Sequence, residues 1–287
     1  MEASLDIRPS PIAGQWYPAD PRRLAQSVDE YLRVAELPTV KGRVVAIMAP
    51  HAGHRYSGPV AGYAFAALRG LEPEVVAVVS PMHYAYFETL LTTAHQAYAT
   101  PLGQVPVDEV GLQAVDSYLE AQLGLTLARV SNDPEHSLEI ELPFLQRVLK
   151  KPFSLLPVMV REHDPRVVRV LGSALAQGLQ GRKALLVAST DLSHFYPQKV
   201  ANQLDAEVLK RVEAFDPLGV LQVEKEGKGF ACGRAALAAV LWAAQEMGAN
   251  EARVIYHATS GDVTGDYDQV VGYGAAVITR GGDKKAT

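Results

Sequence analysis

Three short apolar runs each stop at a breaker and deliver a histidine. Residues 44–49 run into Pro50-His51, residues 75–80 into Pro81-Met82-His83, and residues 184–188 into Ser189-Thr190-Asp191-Leu192-Ser193-His194. β-Branched runs of this length, bounded by breakers, read as strands buried on both faces, the kind found in parallel sheets. Ligands of open α/β sheets bind at the carboxyl ends of the strands. If these strands are parallel neighbours, three imidazoles meet on one rim. Imidazole is the commonest metal ligand and a general base near neutral pH.

Other residues belong with this set. Asp191 lies three before His194, and a carboxylate can orient an imidazole, fix its tautomer and raise its basicity. A helix-capping role for Asp191 satisfies the same pattern. Cys232 stands in Phe230-Ala231-Cys232-Gly233-Arg234, just ahead of a helix. A thiol beside a helix start and an arginine has a depressed pKa and is the better ligand or nucleophile, although free cysteine is also a common packing residue. His136 shares a helix face with Glu139. It is a candidate base, oriented by Glu139 or Glu141. The turn from Thr259 to Tyr267 carries two Gly-Asp pairs and reads as a rim loop or a plain connection. His54 carries a weaker signal than His51, and His95 and His163 read as surface residues. A Gly-x-Ser-x-Gly elbow, a phosphate loop, a dinucleotide fingerprint and His-Glu-x-x-His are all missing.

These residues need elements to hold them. The alternation of segments predicts strands over 43–49, 74–80, 153–160, 183–189, 253–257 and 270–278. Helices are expected over 57–70, 108–123, 164–179, 199–214 and 233–247, and Asp20-Pro21 opens another to residue 34. Asp133-Pro134 predicts one more, kinked by an interior Pro143. The tail from Gly281 to Lys285 is expected to fray. Strands alternating with helices point to a single three-layer α/β/α sandwich with a mostly parallel or mixed sheet, one domain over 1–287 with its core at 8–279.

Composition narrows the function. A net charge of −5 without a basic block argues against nucleic acid. A single cysteine rules out an intrachain disulfide and suits a reducing compartment, so a cytoplasmic protein is expected. No apolar run is long enough to span a membrane, and residues 1–6 lack the features of a signal peptide.

Taken in order, Ala13-Gly14-Gln15-Trp16-Tyr17-Pro18, Ala49-Pro50-His51-Ala52-Gly53, Ser80-Pro81-Met82-His83, Glu135-His136-Ser137, the 189–194 segment, Cys232-Gly233-Arg234 and Thr259-Ser260-Gly261-Asp262-Val263-Thr264-Gly265 resemble the Memo family. Its prokaryotic members are called AmmeMemoRadiSam system protein B. The resemblance implies a fold similar to the catalytic subunit of class III extradiol dioxygenases, where two histidines and a carboxylate hold ferrous iron. It places His51 and His83 on the histidine ligands, with Cys232 where the dioxygenases supply a carboxylate. His194 then corresponds to the acid/base histidine, with Asp191 orienting it, and His136 to a further pocket histidine. Iron is the expected metal. A thiolate ligand is softer and brings copper or zinc into range. The family name also implies a functional link to AMMECR-type and radical SAM proteins. Two other readings use the same residues: a non-catalytic protein that binds metal or docks a small molecule or peptide in the cleft, and a metal-free Cys232–His194–Asp191 hydrolase.

Overall fold

A computed structural model describes residues 5–281, and the segment before Leu5 and the tail expected to fray beyond Gly281 lie outside the described residues. The chain opens with β1 (Ile7–Arg8) and α1 (Pro21–Val34), followed by β2 (Arg43–Ala49), α2 (His54–Ala66) and β3 (Val75–Pro81). Three short strands come next, β4 (Leu90–Thr93), β5 (Ala97–Thr100) and β6 (Gly103–Pro106), then α3 (Glu109–Leu123) and β7 (Ala128–Val130). A single 3-10 turn, Glu139–Glu141, leads into α4 (Leu142–Val148), β8 (Ser154–Val160) and α5 (Pro165–Gly178). The last third holds β9 (Ala184–Ser189), β10 (His194–Tyr196), α6 (Gln198–Glu213), α7 (Pro217–Gln222), α8 (Arg234–Glu246), β11 (Glu251–Thr259), α9 (Gly261–Thr264) and β12 (Val270–Arg280).

The sheet is mixed. Its order is β10-β12-β2-β9-β3-β8-β4-β7, with β11 paired to β12. Four central strands, β2, β9, β3 and β8, are parallel. Their faces are almost wholly buried, as continuous β-branched runs require. Helices α3, α5 and α8 pack side by side on one face, and α1, α2 and α4 on the other. The result is the α/β/α sandwich expected. Helix α1 shows the local logic: the Asp20 carboxylate accepts the Arg23 N–H at 2.8 Å, Pro21 fills the first turn, and Leu24, Val28 and Leu32 bury one face.

One expected helix does not form. Residues 133–138 are irregular, and Pro143 sits in the first turn of α4 rather than in a helix interior. There its missing N–H costs no bond, so it kinks nothing. The cause is competition from side chains. Asp133 accepts the Glu135 N–H at 3.1 Å, and Glu135 accepts the N–H groups of His136 and Ser137 at 2.9 and 2.8 Å. Local carboxylate bonds of this kind replace helical ones.

That irregular loop is braced from behind. A second, small sheet of β1, β5 and β6 carries Arg8 into the interior, where it is 1% exposed. Its guanidinium meets Asp133 in a bidentate pair at 2.8 and 2.9 Å, Glu139 at 2.6 Å and the Glu135 carbonyl at 2.8 Å. Glu139 in turn accepts from Ser10 at 2.5 Å and Tyr17 at 2.6 Å. Removing the cation strands two buried carboxylates. Arg8→Met is therefore expected to lower the unfolding free energy by about 3–5 kcal/mol, measured by urea denaturation.

Candidate metal centre

Because β2, β9 and β3 are parallel neighbours, their carboxyl ends share one rim. His51 lies two residues beyond β2 and is buried. Its backbone N–H donates to Asp191 Oδ1 at 2.7 Å, and its Nδ1 lies 2.8 Å from Ser189 Oγ. The Ser189 hydroxyl gives its proton to the Ser137 carbonyl at 2.6 Å. Nδ1 of His51 must then be the donor, which leaves the lone pair on Nε2. That Nε2 is 3.1 Å from Cys232 Sγ.

His83 lies two residues beyond β3 and is half-buried. Both its backbone N–H and its Nδ1 bond to Glu135, at 2.6 and 3.0 Å. His136 puts its Nδ1 3.3 Å from the same carboxylate. Its ring stacks on Trp16 at 3.9 Å and on His83 at 4.8 Å. The His51 ring lies edge-on to both, at 5.3 Å from His83 and 5.5 Å from His136. One ring nitrogen from each of the three lies within 4.8 Å of the others. With Nδ1 turned to a protein oxygen in each, Nε2 carries the lone pair, and at His51 it meets the Cys232 thiol.

Burial sets the charges. Glu135 would be raised by desolvation, but its bonds to His83 and the loop N–H groups outweigh this and hold it at about 2. His83 is lowered by burial and raised by Glu135, with a net rise. Burial takes His136 down to about 4. His51 is held well below the usual imidazole range by burial and by the neighbouring His136 and His83. Asp191 is pushed up to about 7 by burial, against the pull of the His51 and Ala52 N–H groups.

His136 completes the nitrogen cluster with His51 and His83, while Cys232 stands beside His51. Several sequence expectations need correction here. The Cys232 thiol is raised, not depressed, by burial and then by the charge of Asp191. Arg234, the expected activating cation, is paired with Glu224. Asp191 does not orient His194. It accepts from His51, while His194 Nδ1 donates to the Leu192 carbonyl at 2.8 Å. No Cys232–His194–Asp191 triad is assembled, since the thiol faces His51.

Neither Glu139 nor Glu141 orients His136. Glu139 serves Arg8, and Glu141 is buried with both carboxyl oxygens lacking a hydrogen-bond partner. The orienting carboxylate is Glu135, which sequence reasoning passed over because adjacent residues in a helix do not face each other. In the extended loop they do. His54 is a core residue, with Nε2 3.0 Å from the Ile140 carbonyl and its ring against Phe144. His95 is not a surface residue. Its Nδ1 bonds Asp6 at 2.8 Å and its Nε2 accepts the Asn132 N–H at 3.0 Å. His163 is exposed as expected. The Thr259–Tyr267 turn forms α9 and part of a cleft beside the histidines. Among the described residues, no helix is long and apolar enough to cross a membrane.

The family model described as Memo-like protein matches residues 8–277. The chain belongs to the Memo family. A MEMO1 family protein of Methanopyrus kandleri is 35% identical over 283 residues, covering 94% of this chain and 98% of its own length. Those of Methanothermobacter thermautotrophicus and Nitrosopumilus maritimus are 33% and 30% identical over 277 residues each, covering 93% and 94% of this chain and 98% of their own lengths. Among solved structures, an uncharacterized protein from Escherichia coli K12 matches with a TM-score of 0.50 at 14% identity, covering 82% of this chain and 100% of that one. That likeness is one of fold.

The depressed His136 makes this Memo-family site acid-sensitive. Its folded pKa, about 4, lies below the ordinary 6.5. As pH falls through that window, the unfolded chain takes up a proton that the folded chain refuses. The stabilisation is thus present above pH 6.5 and is lost as pH falls toward 4. His136→Gln is expected to flatten the acid limb of the stability profile between those values, measured by urea denaturation with a chelator present.

Proposed function

We propose that this chain is a metal-dependent redox protein, related in chemistry to non-haem dioxygenases, with a transition metal held by His51, His83 and Cys232. The observation that carries this reading is the shared state of the rim histidines: His51, His83 and His136 each turn Nδ1 toward a protein oxygen, which leaves the Nε2 lone pair for a ligand, His51 Nε2 meeting only the Cys232 thiol. Histidine ligands of metals are oriented in this way, often by carboxylates. The 3.1 Å between His51 Nε2 and Cys232 Sγ supports the thiol as a partner ligand. An imidazole and a thiolate on one ion at 90–109° lie roughly 3.1–3.5 Å apart, given ordinary bond lengths. Two imidazoles and a thiolate suit iron, copper or zinc, and iron is the first expectation. A second reading puts His136 in place of Cys232, favoured by its place in the nitrogen cluster.

When bound, the metal supplies Lewis acidity and, as iron or copper, electron transfer. The chain's own residues do the rest. Glu135 fixes His83 and His136 through one buried carboxylate. The raised thiol of Cys232 gives up its proton to become a ligand, so metal uptake releases acid. Asp191, near 7, is placed to receive a proton beside His51. His194, lowered by burial, stays neutral at pH 7 and offers Nε2 as a general base. The free thiol suits the reducing cytoplasm.

The test is metal content of untagged protein purified without oxygen. Near-stoichiometric iron is expected in the wild type and its loss in His51→Ala and His83→Ala. A wild type that neither carries metal nor takes it up overturns the reading. Cobalt(II) substitution decides the third ligand. A thiolate charge-transfer band that vanishes in Cys232→Ser assigns the cysteine, and its absence from the wild type moves the role to His136. Bound metal without oxygen-dependent turnover of any substrate class leaves the chain as a metal-binding or docking protein. Glu135→Gln is expected to weaken metal binding by about 10–100-fold, measured by competition with a chelating dye.

A further inference from the structure

Beside the histidines lies a cleft of about 460 Å³ whose wall includes Trp16, Tyr56, Phe195, Tyr273 and Asp266, and neither lysine nor arginine. Trp16 reaches it while stacking on His136, and Phe195 directly follows His194. The cleft therefore adjoins the candidate metal centre through Trp16 and lies next to His194 through Phe195.

Phe195 is the unusual residue. Its backbone is left-handed, with φ at +61°, at the point where the β10–β12 register shifts. That conformation is costly for a bulky side chain and collects at functional sites. The residue is nevertheless 69% exposed, so burial does not offset the strain. Two costs accepted at one residue of the wall suggest that the ring contacts a ligand.

Charge identifies the kind of ligand. Four aromatic rings line the wall, and the face of an aromatic ring is electrostatically negative and attracts cations. Asp266 adds a full negative charge. It belongs to no ion pair among the described residues, and one of its oxygens accepts the Asp268 N–H at 3.0 Å, leaving the other open. An anionic ligand finds no cationic side chain in this wall, and a neutral ring gains nothing from Asp266. Tyr56 already holds one cation, the Arg55 guanidinium 5.8 Å from its ring centre, and Arg55 is not part of the cleft wall.

We propose that this cleft binds a small organic cation of the alkylammonium class, with the Trp16, Tyr56 and Phe195 rings as its cage and Asp266 as its counter-charge. The site does not depend on the metal reading, because rings and carboxylate suffice to bind.

The experiment compares choline with the neutral alcohol in which a quaternary carbon replaces its nitrogen. Both are titrated into Trp242→Phe protein, whose remaining tryptophan is Trp16, and followed by fluorescence and calorimetry. Choline is expected to bind at least about tenfold more tightly than the alcohol. Phe195→Leu and Asp266→Asn should each weaken choline by about fivefold or more and leave the alcohol unchanged. Both positions are exposed, so the fold tolerates the changes. Equal or tighter binding of the alcohol, no saturable binding of either probe, or choline binding indifferent to both substitutions overturns the proposal. Metal content measured on the same samples separates this failure from failure of the metal reading.

Discussion

The arrangement depends on keeping one carboxylate ionised where water cannot reach it. Glu135 is 1% exposed, and a bare charge there would be prohibitive. It is satisfied by two donors of His83 and the N–H groups of His136 and Ser137. Those bonds hold the 133–138 segment out of a helix and bring the β3 rim and the α4 loop against each other. The same carboxylate sets the tautomers of His83 and His136. Arg8 completes the constraint by taking the Glu135 carbonyl and the two acids on either side, Asp133 and Glu139. A residue near the start of the chain thus braces a loop more than a hundred residues away.

The rim itself comes from parallel pairing. Ala49 stands in register with Ser189, and Val79 with Ala188. Each strand ends within a residue or two of its neighbour, so the residues that follow reach the same level. The Cys232 loop reaches that level because Gly233 carries no side chain: a Cβ there would lie 2.4 Å from the Ser189 carbonyl oxygen. Thr190 then accepts the Gly233 N–H at 2.9 Å, and the thiol meets His51.

Close packing and strain meet along the 191–195 segment. Gly272 exchanges backbone bonds with Leu192 and Ser193 and lies against the buried Asp205, which accepts the Ser193 N–H at 2.9 Å. His194 is oriented by a carbonyl of its own loop. Phe195 then turns into the left-handed region with its ring exposed. An oriented imidazole is thus followed directly by a strained, exposed aromatic.

Much of the fold was legible in the sequence because periodicity and caps are local. The buried runs of β2, β3, β8 and β9, the Asp-Pro starts of α1 and α5 and the alanine-rich α8 follow from side-chain size and backbone sterics alone. So did the presence of histidines at strand ends, and the ordered motifs carried the family. The short strands β4 to β7 and β10 were not legible, since three or four residues hold too little pattern to separate strand from loop. The loop at 133–138 was misread because the Asp133 and Glu135 carboxylates that cap its N–H groups are themselves held by Arg8 and His83, residues distant in sequence. The same holds for the partners of the site. Glu135 rather than Asp191 orients a rim histidine, Arg234 is spent on Glu224, and the Cys232 thiol is raised. The sequence by itself determined which residues reach the rim. Only the tertiary structure decided which of them touch and what charge each carries, because hydrogen-bond partners and desolvation are set by what packs around a group and not by its neighbours along the chain.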